Sequence, residues 1–353
     1  MAFHNPHTDV TRHFCTYFDH RYLSRGLALY GSLREHCPDF RLWVLCLDEI
    51  AFELLEKLAM EGIQPIRLED FLRDDEALRA ARCNRSVVEF YFTCTPSLPL
   101  YVMARQPDAE MITYLDADLF FFSSPEPLFE EMAEKSISVT PHRFSPELRE
   151  YERFGLYNVG WLSFRNDRAG LECLHWWRNR CLEWCHDREE DGKFADQKYL
   201  DQWPALFKSL AVIGHPGANL AAWNFAGARL AHGKGNTTVN GQTLVFYHFH
   251  DLRKINSVLY EIAFQSYKVK PCGVLIRHVL TPYLRCLERN DERLAKIAPR
   301  LRQGMARMRY QMPGHAPGHS RWLRPARRLK SYFRILKSIM NRERFVYLAG
   351  RVL

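Results

Sequence analysis

Short apolar segments alternate with longer segments of helical periodicity along the first 115 residues of the chain. The apolar segments predict four strands, at residues 14–18, 42–47, 64–68 and 111–115. Between the first two strands, one helical face is formed by Leu23, Leu27, Tyr30 and Leu33. Strand–helix–strand steps of this length require parallel crossover connections. The pattern therefore predicts a doubly wound α/β sheet, whose ligands bind outside the carboxyl ends of the strands.

Two aspartates follow directly on the fourth predicted strand, in the sequence MITYLDADLFFF (residues 111–122). Burial of an unpaired charge is costly, so the carboxylates of Asp116 and Asp118 must reach water or hold a positive charge. Successive residues of an extended chain point to opposite faces, which places both carboxylates on one side, with the small Ala117 between them. Two carboxylates at this edge indicate a site for a hard divalent cation. The alternative is a pair of solvated or helix-capping aspartates.

The second half of the chain predicts two further strands, a long helix and a hairpin. The strands are expected at residues 136–140 and 157–164, and the helix at residues 169–185. Asn240-Gly241 lies between two β-rich segments and indicates a hairpin whose second strand continues to His250. Alternation along that strand places His248 and His250 on the same face.

A histidine at the end of this strand is a candidate third ligand beside Asp116 and Asp118. One imidazole nitrogen together with two carboxylates shifts the preference from Mg²⁺ toward Mn²⁺, because nitrogen is the softer donor. For a single histidine in an aromatic strand, the alternative is a role in the core or at the surface.

Composition and charge place the chain among globular proteins with one large domain or two. Of its 353 residues, 47% are hydrophobic. No segment approaches the ~18 apolar residues of a membrane-spanning helix, and MAFHNPHTDVTRHF has no apolar core or cleavage site of a secretory signal. We therefore expect a cytoplasmic protein. The net charge of +8 is uneven, since residues 289–353 contain 17 Lys/Arg and three Asp/Glu, which leaves a net charge of −6 on residues 1–288.

The C-terminal segment is predicted to be a linker at 312–320 followed by a basic amphipathic helix at 321–353. One stripe of that helix is apolar and consists of Leu329, Phe333, Leu336 and Met340. A basic helix with an aromatic-rich apolar stripe suits an anionic membrane surface, with the protein peripheral at the inner face of the membrane. The alternative is a helix packed on the domain or in a dimer interface. No base-reading motif accompanies the charge, so nucleic acid is not an expected partner.

Four motifs then occur in a characteristic order: YLDADLFFFSSPEPLF, YNVGWLSF, DQKYL at 196–200 and HFHDLRK at 248–254. In this set, residues 12–256 resemble the GT-A nucleotide-sugar glycosyltransferases, and most of all the retaining enzymes of glycosyltransferase family 8. The resemblance implies a Rossmann-like GT-A domain, a mixed sheet flanked by helices, at residues 1–270. Residues 271–311 then form a helical extension ahead of the linker.

The resemblance also implies roles for individual residues. Asp116, Asp118 and His248 would hold Mn²⁺ or Mg²⁺ against the diphosphate of a nucleotide-diphospho-sugar donor. Asp196 and Gln197 are the catalytic candidates, with Asp196 on a hydroxyl of the donor sugar and Gln197 beside the anomeric carbon. The remaining donor contacts implied are Asn158 to the sugar, Arg85 and Lys254 to phosphate, and Tyr17, Asp19 and Tyr22 around the base.

The implied activity is that of a metal-dependent, retaining glycosyltransferase of the hexosyltransferase type with a saccharide acceptor. With a membrane-facing tail, we expect that acceptor to be lipid-linked or an envelope polysaccharide. The chain departs from the family where His250 replaces a glycine and Ile255-Asn256 replaces Pro-Trp. His250 is therefore the alternative metal ligand, and the departure also suits an inactive protein that binds sugar nucleotides or membranes. A D-x-D phosphohydrolase is a further alternative, although such enzymes have Thr or Val where Phe120 stands.

Overall fold

The computed structural model describes residues 11–255, 259–262, 264 and 266–298, together with the backbone of residues 344–348 and 351–352. The strands are β1 Arg12–Phe18, β2 Phe40–Cys46, β3 Ile63–Arg67, β4 Met111–Leu115, β5 Leu119–Phe121, β6 Ile137–Pro141, β7 Tyr157–Arg165, β8 Leu210–Val212, β9 Leu230–Gly233, β10 Asn236–Val239, β11 Gln242–Thr243, β12 Phe246–His248, β13 Arg253–Lys254, β14 Leu259–Glu261, β15 Arg344–Leu348 and β16 Arg351–Val352.

The α-helices are α1 Leu23–His36, α2 Glu49–Leu58, α3 Leu68–Leu72, α4 Glu76–Asn84, α5 Val87–Cys94, α6 Ser97–Arg105, α7 Glu126–Met132, α8 Arg168–Glu183, α9 Trp203–Leu206, α10 Gly273–Leu275 and α11 Thr281–Ile297. A π-helical turn, Ile276–Leu280, joins α10 to α11, and 3₁₀ turns occupy Pro146–Phe154, Lys198–Gln202 and Ala222–Gly227. None of the helices in the described ranges has the length and apolarity needed to cross a membrane.

A seven-stranded sheet forms the centre of the molecule, in the order β3-β2-β1-β4-β7-β6-β8. Strands β1 to β4 are mutually parallel where they pair, and β7 runs antiparallel to both of its neighbours. The predicted fold class, a mixed α/β sheet flanked by helices, is therefore confirmed. The four strands predicted in the first 115 residues lie within about two residues of their predicted ends, because apolar strands buried on both faces give an unambiguous pattern.

Apolar side chains cover both faces of this sheet. Along β1, Phe14 belongs to the core shared with α1 and α2, whereas its neighbour Cys15 belongs to the core shared with α6 and α8. Several helices begin at the capping residues that their sequences provide. Asp48 accepts a hydrogen bond from the Ala51 N–H at the start of α2 (2.8 Å), and Ser86 forms a capping box with Glu89 at the start of α5.

The predicted hairpin is confirmed at its turn and wrong at its far end. Asn240 and Gly241 both have positive φ (52° and 86°) between the antiparallel strands β10 and β11, as a type I′ turn requires. The second strand ends at Thr243 rather than at His250. The chain then passes to a different sheet, in which β12 pairs antiparallel with β5. The alternation of apolar and polar residues does not reveal this change of partner strand, because the alternation continues unbroken from β11 to β12.

Residues 273–297 are helical, as predicted for the extension, and they pack on the main domain. Ser24 Oγ of α1 donates to the Leu287 carbonyl of α11 (3.1 Å), and Asn290 Nδ2 donates to the Ser24 carbonyl (3.0 Å). The predicted linker at 312–320 and residues 321–343 of the predicted basic helix lie outside the described residues. The helix prediction is wrong at residues 344–348, which form β15 and pair antiparallel with β14. Tertiary strand pairing overrides the local helical pattern there.

Candidate functional site

The two aspartates lie in a tight turn between β4 and β5. The Leu119 N–H donates to the Asp116 carbonyl (3.2 Å), so this stretch is a turn and the predicted extended alternation does not apply. The turn is fixed on both sides by backbone hydrogen bonds. Asp116 N–H donates to the Gly160 carbonyl of β7 (3.1 Å), and Asp118 accepts from the Phe249 N–H (3.0 Å). The sheet therefore holds both carboxylates at the carboxyl end of β4, as predicted.

Strand β12 brings His248 to the same place. In the β5–β12 ladder His248 lies opposite Leu119, one residue after Asp118. Its Nε2 lies 3.1 Å from Asp118 Oδ1 and 3.6 Å from Asp116 Oδ2. One ligand atom from each of the three residues lies within 4.8 Å of the other two. Two carboxylate oxygens and one imidazole nitrogen at this separation fit a divalent cation.

The pKa values of the two aspartates shift in opposite directions, although both carboxyl groups lie beside the same imidazole. Burial raises the pKa of Asp116, and the Asp118 carboxylate adds to that rise, while His248 and the Tyr114 hydroxyl oppose it. Burial also acts on Asp118, but His248 outweighs it and the pKa of Asp118 is lowered. The side chain of His248 is 3% exposed, that of Asp118 13% and that of Asp116 29%, so the opening to solvent is on the Asp116 side. A divalent cation would balance the excess negative charge there.

His248, and not His250, contacts both carboxylates. The His250 ring lies 6.1 Å from the His248 ring, its Nε2 lies 3.3 Å from Asp251 Oδ2, and its side chain is 47% exposed. Trp223 packs edge-on against both imidazoles, 5.1 Å from His248 and 5.6 Å from His250. His250 therefore lies beside the triad without belonging to it.

A buried polar network extends from His248 to the catalytic candidate Gln197. Asn158 Oδ1 lies 3.2 Å from His248 Nδ1, and Asn158 Nδ2 donates to Gln197 Oε1 (3.3 Å) and lies 3.2 Å from His142 Nε2. Burial and the neighbouring His248 and His250 lower the pKa of His142 to about 3, so that its ring is neutral and can accept from Asn158. Gln197 is held in turn by donation to the Phe154 carbonyl (3.0 Å). The structure thus brings Asn158 and Gln197 together with the triad.

Asp196 is buried on the other side of the site, next to Tyr17. Burial raises the pKa of Asp196 to about 7, and the charge of Asp116 adds to the rise, while a hydrogen bond with Thr95 opposes it. The same Thr95 Oγ1 lies 3.2 Å from the Tyr17 hydroxyl. Tyr17 packs against Tyr114, whose hydroxyl donates to Asp116 (2.9 Å). Asp196 and Tyr17 therefore connect to the triad through Thr95 and Tyr114.

Asp19 and Tyr22 lie at the carboxyl end of β1, in the turn that leads into α1. Asp19 accepts hydrogen bonds from the backbone N–H groups of Arg21 (3.0 Å) and Tyr22 (3.2 Å). The Tyr22 ring carries the guanidinium of Arg25 at 4.5 Å, and Arg25 also donates to the Leu252 carbonyl (2.7 Å). Their placement at the ligand-binding edge agrees with a base pocket, and that role stays a prediction.

The two predicted phosphate contacts have other partners in the structure. Arg85 donates to Asn84 Oδ1 (2.8 Å) and to the Leu182 carbonyl (3.1 Å). Lys254 Nζ lies 2.5 Å from Asp291 Oδ2 of α11. Within the described residues, neither hydrogen-bonding pattern joins these cations to the triad, and their donor contacts stay predictions.

Several residues of the site were not found from the sequence. Asn219 places its Oδ1 3.4 Å from His248 Nδ1, and Arg25 contributes positive charge that lowers the pKa of Asp118. No spacing rule connects either residue to the aspartates. Trp223 could not be singled out from the sequence either, because aromatic residues are common throughout this chain.

No protein-family model matches the chain. Among curated proteins, the uncharacterized protein YfnD of Bacillus subtilis (strain 168) is 31% identical over 309 residues, which cover 87% of this chain and 96% of YfnD. The chain belongs to the same family as YfnD. A second member, the uncharacterized protein YfnF of the same organism, is 32% identical over 255 residues, or 70% of this chain and 84% of YfnF. The likeness to YfnD spans nearly the whole of both chains.

Solved structures with a similar fold include three glycosyltransferases. One is the galactosyltransferase LgtC in complex with donor and acceptor sugar analogues (15% identity, TM-score 0.49, 78% of this chain and 95% of that chain). The others are mouse xyloside xylosyltransferase 1 (13%, 0.46, 69% and 98%) and GlyE of Streptococcus pneumoniae TIGR4 (18%, 0.38, 62% and 49%). The function of this YfnD-family chain is argued below from its own residues.

Proposed function

We propose that the protein is a metal-dependent glycosyltransferase that moves a sugar from a nucleotide-diphosphate donor to a saccharide acceptor. The observation that carries the proposal is the meeting of Asp116, Asp118 and His248 at the carboxyl end of β4. Open α/β sheets bind their ligands at this end. The sequence resemblance assigns the same three residues to the metal of a nucleotide-sugar enzyme.

Asp116, Asp118 and His248 would hold the cation, with its open side toward Asp116, the most exposed of the three. The cation would neutralise charge that develops on the leaving diphosphate. Asn158 and Gln197 are hydrogen-bonded to each other and offer amide groups that can orient the hydroxyls of a donor sugar. Asp196, with its pKa raised to about 7 by burial, is placed to exchange a proton or accept a hydrogen bond near neutral pH.

Finer features of the reaction belong to the same proposal. Mn²⁺ is favoured over Mg²⁺ because His248 contributes nitrogen. Retention of the anomeric configuration and the Lys254 and Arg85 phosphate contacts rest on the sequence resemblance. A lipid-linked or envelope-polysaccharide acceptor, and a peripheral position on an anionic membrane, rest on the basic residues beyond position 289. Sedimentation with anionic vesicles tests the membrane part, and equal binding by a chain truncated after residue 320 would contradict it.

The test of the main proposal is a screen of nucleotide-diphospho-sugars with and without Mn²⁺. Binding of a donor to the native state raises the melting temperature, by an amount that grows with the logarithm of the ratio of donor concentration to dissociation constant. We expect at least one donor to raise the melting temperature only when Mn²⁺ is present, and to be hydrolysed slowly without acceptor. The Asp118→Asn variant should lose both effects. The proposal fails if no donor binds or is cleaved in the full panel, or if Asp118→Asn behaves as the parent protein does.

A second candidate is a protein that binds nucleotide-sugars without turning them over. It is favoured by His250, which stands where the resemblance to glycosyltransferase family 8 implies a glycine. The His250 ring packs on Trp223 beside the triad. This candidate predicts Mn²⁺-dependent donor binding with no release of nucleoside diphosphate, with or without a panel of acceptors. Replacement of His250 by glycine would then be expected to increase donor cleavage.

A further inference from the structure

His248 can serve as a metal ligand only through a ring nitrogen that carries no proton. Its Nε2 faces the two carboxylates, and its Nδ1 faces two amide oxygens, those of Asn158 (3.2 Å) and Asn219 (3.4 Å). Which nitrogen holds the proton of the neutral ring is decided by the partners of the other one. The orientation of the two amides is therefore the key to the site.

The amide of Asn158 is fixed by a backbone group. Gly160 N–H donates to Asn158 Oδ1 (3.0 Å), and because a backbone N–H can only donate, the oxygen must be on that side. The Nδ2 group then points to Gln197 and His142, both of which offer acceptors. A Cβ at Gly160 would lie 2.6 Å from Asn158 Oδ1 and 2.9 Å from His248 Nδ1, so only glycine leaves room for this contact.

The amide of Asn219 is fixed in the same sense. Its Nδ2 lies 3.5 Å from the Pro141 carbonyl, an acceptor, which leaves Oδ1 toward His248. Asn219 is fully buried, and its φ of +55° is a left-handed conformation that asparagine adopts more readily than most residues. The next carbonyl, that of Leu220, accepts the backbone N–H of His248 (2.8 Å). One short segment thus holds both the backbone and the ring of His248.

We propose that Asn219 is a positioning residue that acts with Asn158 to keep the proton of His248 on Nδ1, so that Nε2 presents its lone pair between Asp116 and Asp118. The two carboxylates beside Nε2 compete for this proton, but a cation bound to Nε2 excludes a proton there, and the two amide oxygens then accept the Nδ1–H. Metal-binding histidines commonly donate their second N–H to such a partner, which fixes the ring and strengthens the ligand. The inference rests on the proposed metal site and adds a residue that the sequence did not reveal.

The decisive measurement is Mn²⁺ affinity, followed by the EPR signal of the free ion, in the full-length protein. Asn219→Gly removes the amide and tolerates the positive φ. It should weaken Mn²⁺ binding by roughly 10- to 100-fold, the usual effect of losing such a partner. Asn219→Asp keeps an acceptor at the same position and should bind within a few-fold of the parent. Asn240→Gly is the matched control, because Asn240 also has positive φ but lies in the exposed β10–β11 turn, and it should bind as the parent does.

The outcomes separate this inference from the proposed function. Loss of Mn²⁺ binding in Asp118→Asn together with parent-like binding in Asn219→Gly overturns the role of Asn219 and leaves the metal site intact. Parent-like binding in both variants overturns the metal site, and the inference with it.

The tautomer itself provides a second readout that a general loss of stability would not produce. In protein with ¹⁵N-labelled histidine and saturating Mg²⁺, a diamagnetic ion, long-range ¹H–¹⁵N spectra identify the protonated nitrogen of His248, assigned by comparison with His248→Gln. We expect Nδ1–H in the parent and, at the same Mg²⁺ concentration, a mixture of tautomers in Asn219→Gly. Nε2–H in the parent protein at saturating Mg²⁺ would overturn the proposal, whatever the folding of the variants.

Discussion

The two ends of the candidate site are built in opposite ways. At the metal end, formed by Asp116, Asp118 and His248 with their amide partners, polar groups from β4, β7 and β12 converge and leave excess negative charge. At the other end, residues 250–254, where a phosphate contact is predicted and which we call the phosphate end, the cations are already paired: His250 with Asp251, and Lys254 with Asp291. A cation at the first end would be attracted by the two carboxylates, whereas a diphosphate at the second would have to compete with carboxylates of the chain itself. The metal end is thus preassembled and the phosphate end is internally neutralised.

The largest effect is expected from removal of charge at the metal end. Asp118→Asn should lower kcat/KM for donor cleavage by roughly 100- to 1000-fold, since it removes one of the groups that hold the cation where charge develops. Steady-state release of nucleoside diphosphate with Mn²⁺ measures the effect. Asp108→Asn, the same change at an exposed position before β4, is the control and should leave the rate unaltered. Similar rates for both variants would remove the contrast between the two ends.

Asp196, which lies outside the metal end, should show that burial of its carboxyl group costs stability. Its pKa of about 7 in the folded protein lies above its ordinary value of 3.8, so its contribution to stability is fully present below pH 3.8. That contribution is lost as the pH rises toward about 7. Asp196→Asn should therefore be more stable than the parent at pH 8, by at most about 4 kcal/mol, and the difference should vanish near pH 4. Urea unfolding across this pH range measures it; a difference that is independent of pH would contradict the assignment.

Crowding at Gly160 should disturb the metal end specifically. Gly160→Ala places a methyl group against Asn158 and His248 and should cost about 1–3 kcal/mol of unfolding free energy, with weaker Mn²⁺ binding. Gly31→Ala is the matched control, because no atom lies within 4 Å of the added methyl group in α1. There we expect unchanged Mn²⁺ affinity and a gain of about 0.5–1 kcal/mol. Equal destabilisation by both changes would show that the contacts of the added methyl group with Asn158 and His248 do not determine stability at Gly160.

The smallest effect is expected at the phosphate end. Asp291→Asn releases Lys254 from its ion pair and should lower the KM for the donor by about two- to fivefold, the range of a partly exposed pair. Glu292→Gln makes the same change of charge at an exposed neighbouring position of α11 and serves as the control. If both changes lower the KM equally, the effect comes from the overall charge of the protein and not from contact between Lys254 and the donor.

The fold and the site could be predicted from the sequence where a periodic apolar pattern leads directly into chemically distinctive residues. Strands β1 to β4 and the aspartates at the carboxyl end of β4 were predictable, because apolar strands and clustered carboxylates are local signals. The sequence also singled out His248 and His250 as candidates beside the aspartates, and only the structure shows that His248 is the one in contact with them. The turn at Asp116–Asp118 was not predicted, because these residues continue an apparent extended pattern. The separate strand β12 was not predicted either, because the alternation continues through the change of partner strand. Asn219 was invisible because its role depends on a left-handed backbone and on a residue 29 positions away. The strand β15 was predicted as helix because only its tertiary partner β14 decides its conformation.

The pairing of β5 with β12 has a consequence for the dynamics of the protein. Asp118 precedes one strand of this short ladder and His248 ends the other, and the ladder is anchored by the stacked rings of Phe246 and Trp161. An ion that binds both residues would act as a cross-link at the end of the ladder and suppress its local opening. Amide hydrogen exchange along Leu119–Phe121 and Phe246–His248 should therefore slow on addition of Mn²⁺, which makes this ladder a built-in reporter of occupancy that needs neither donor nor acceptor.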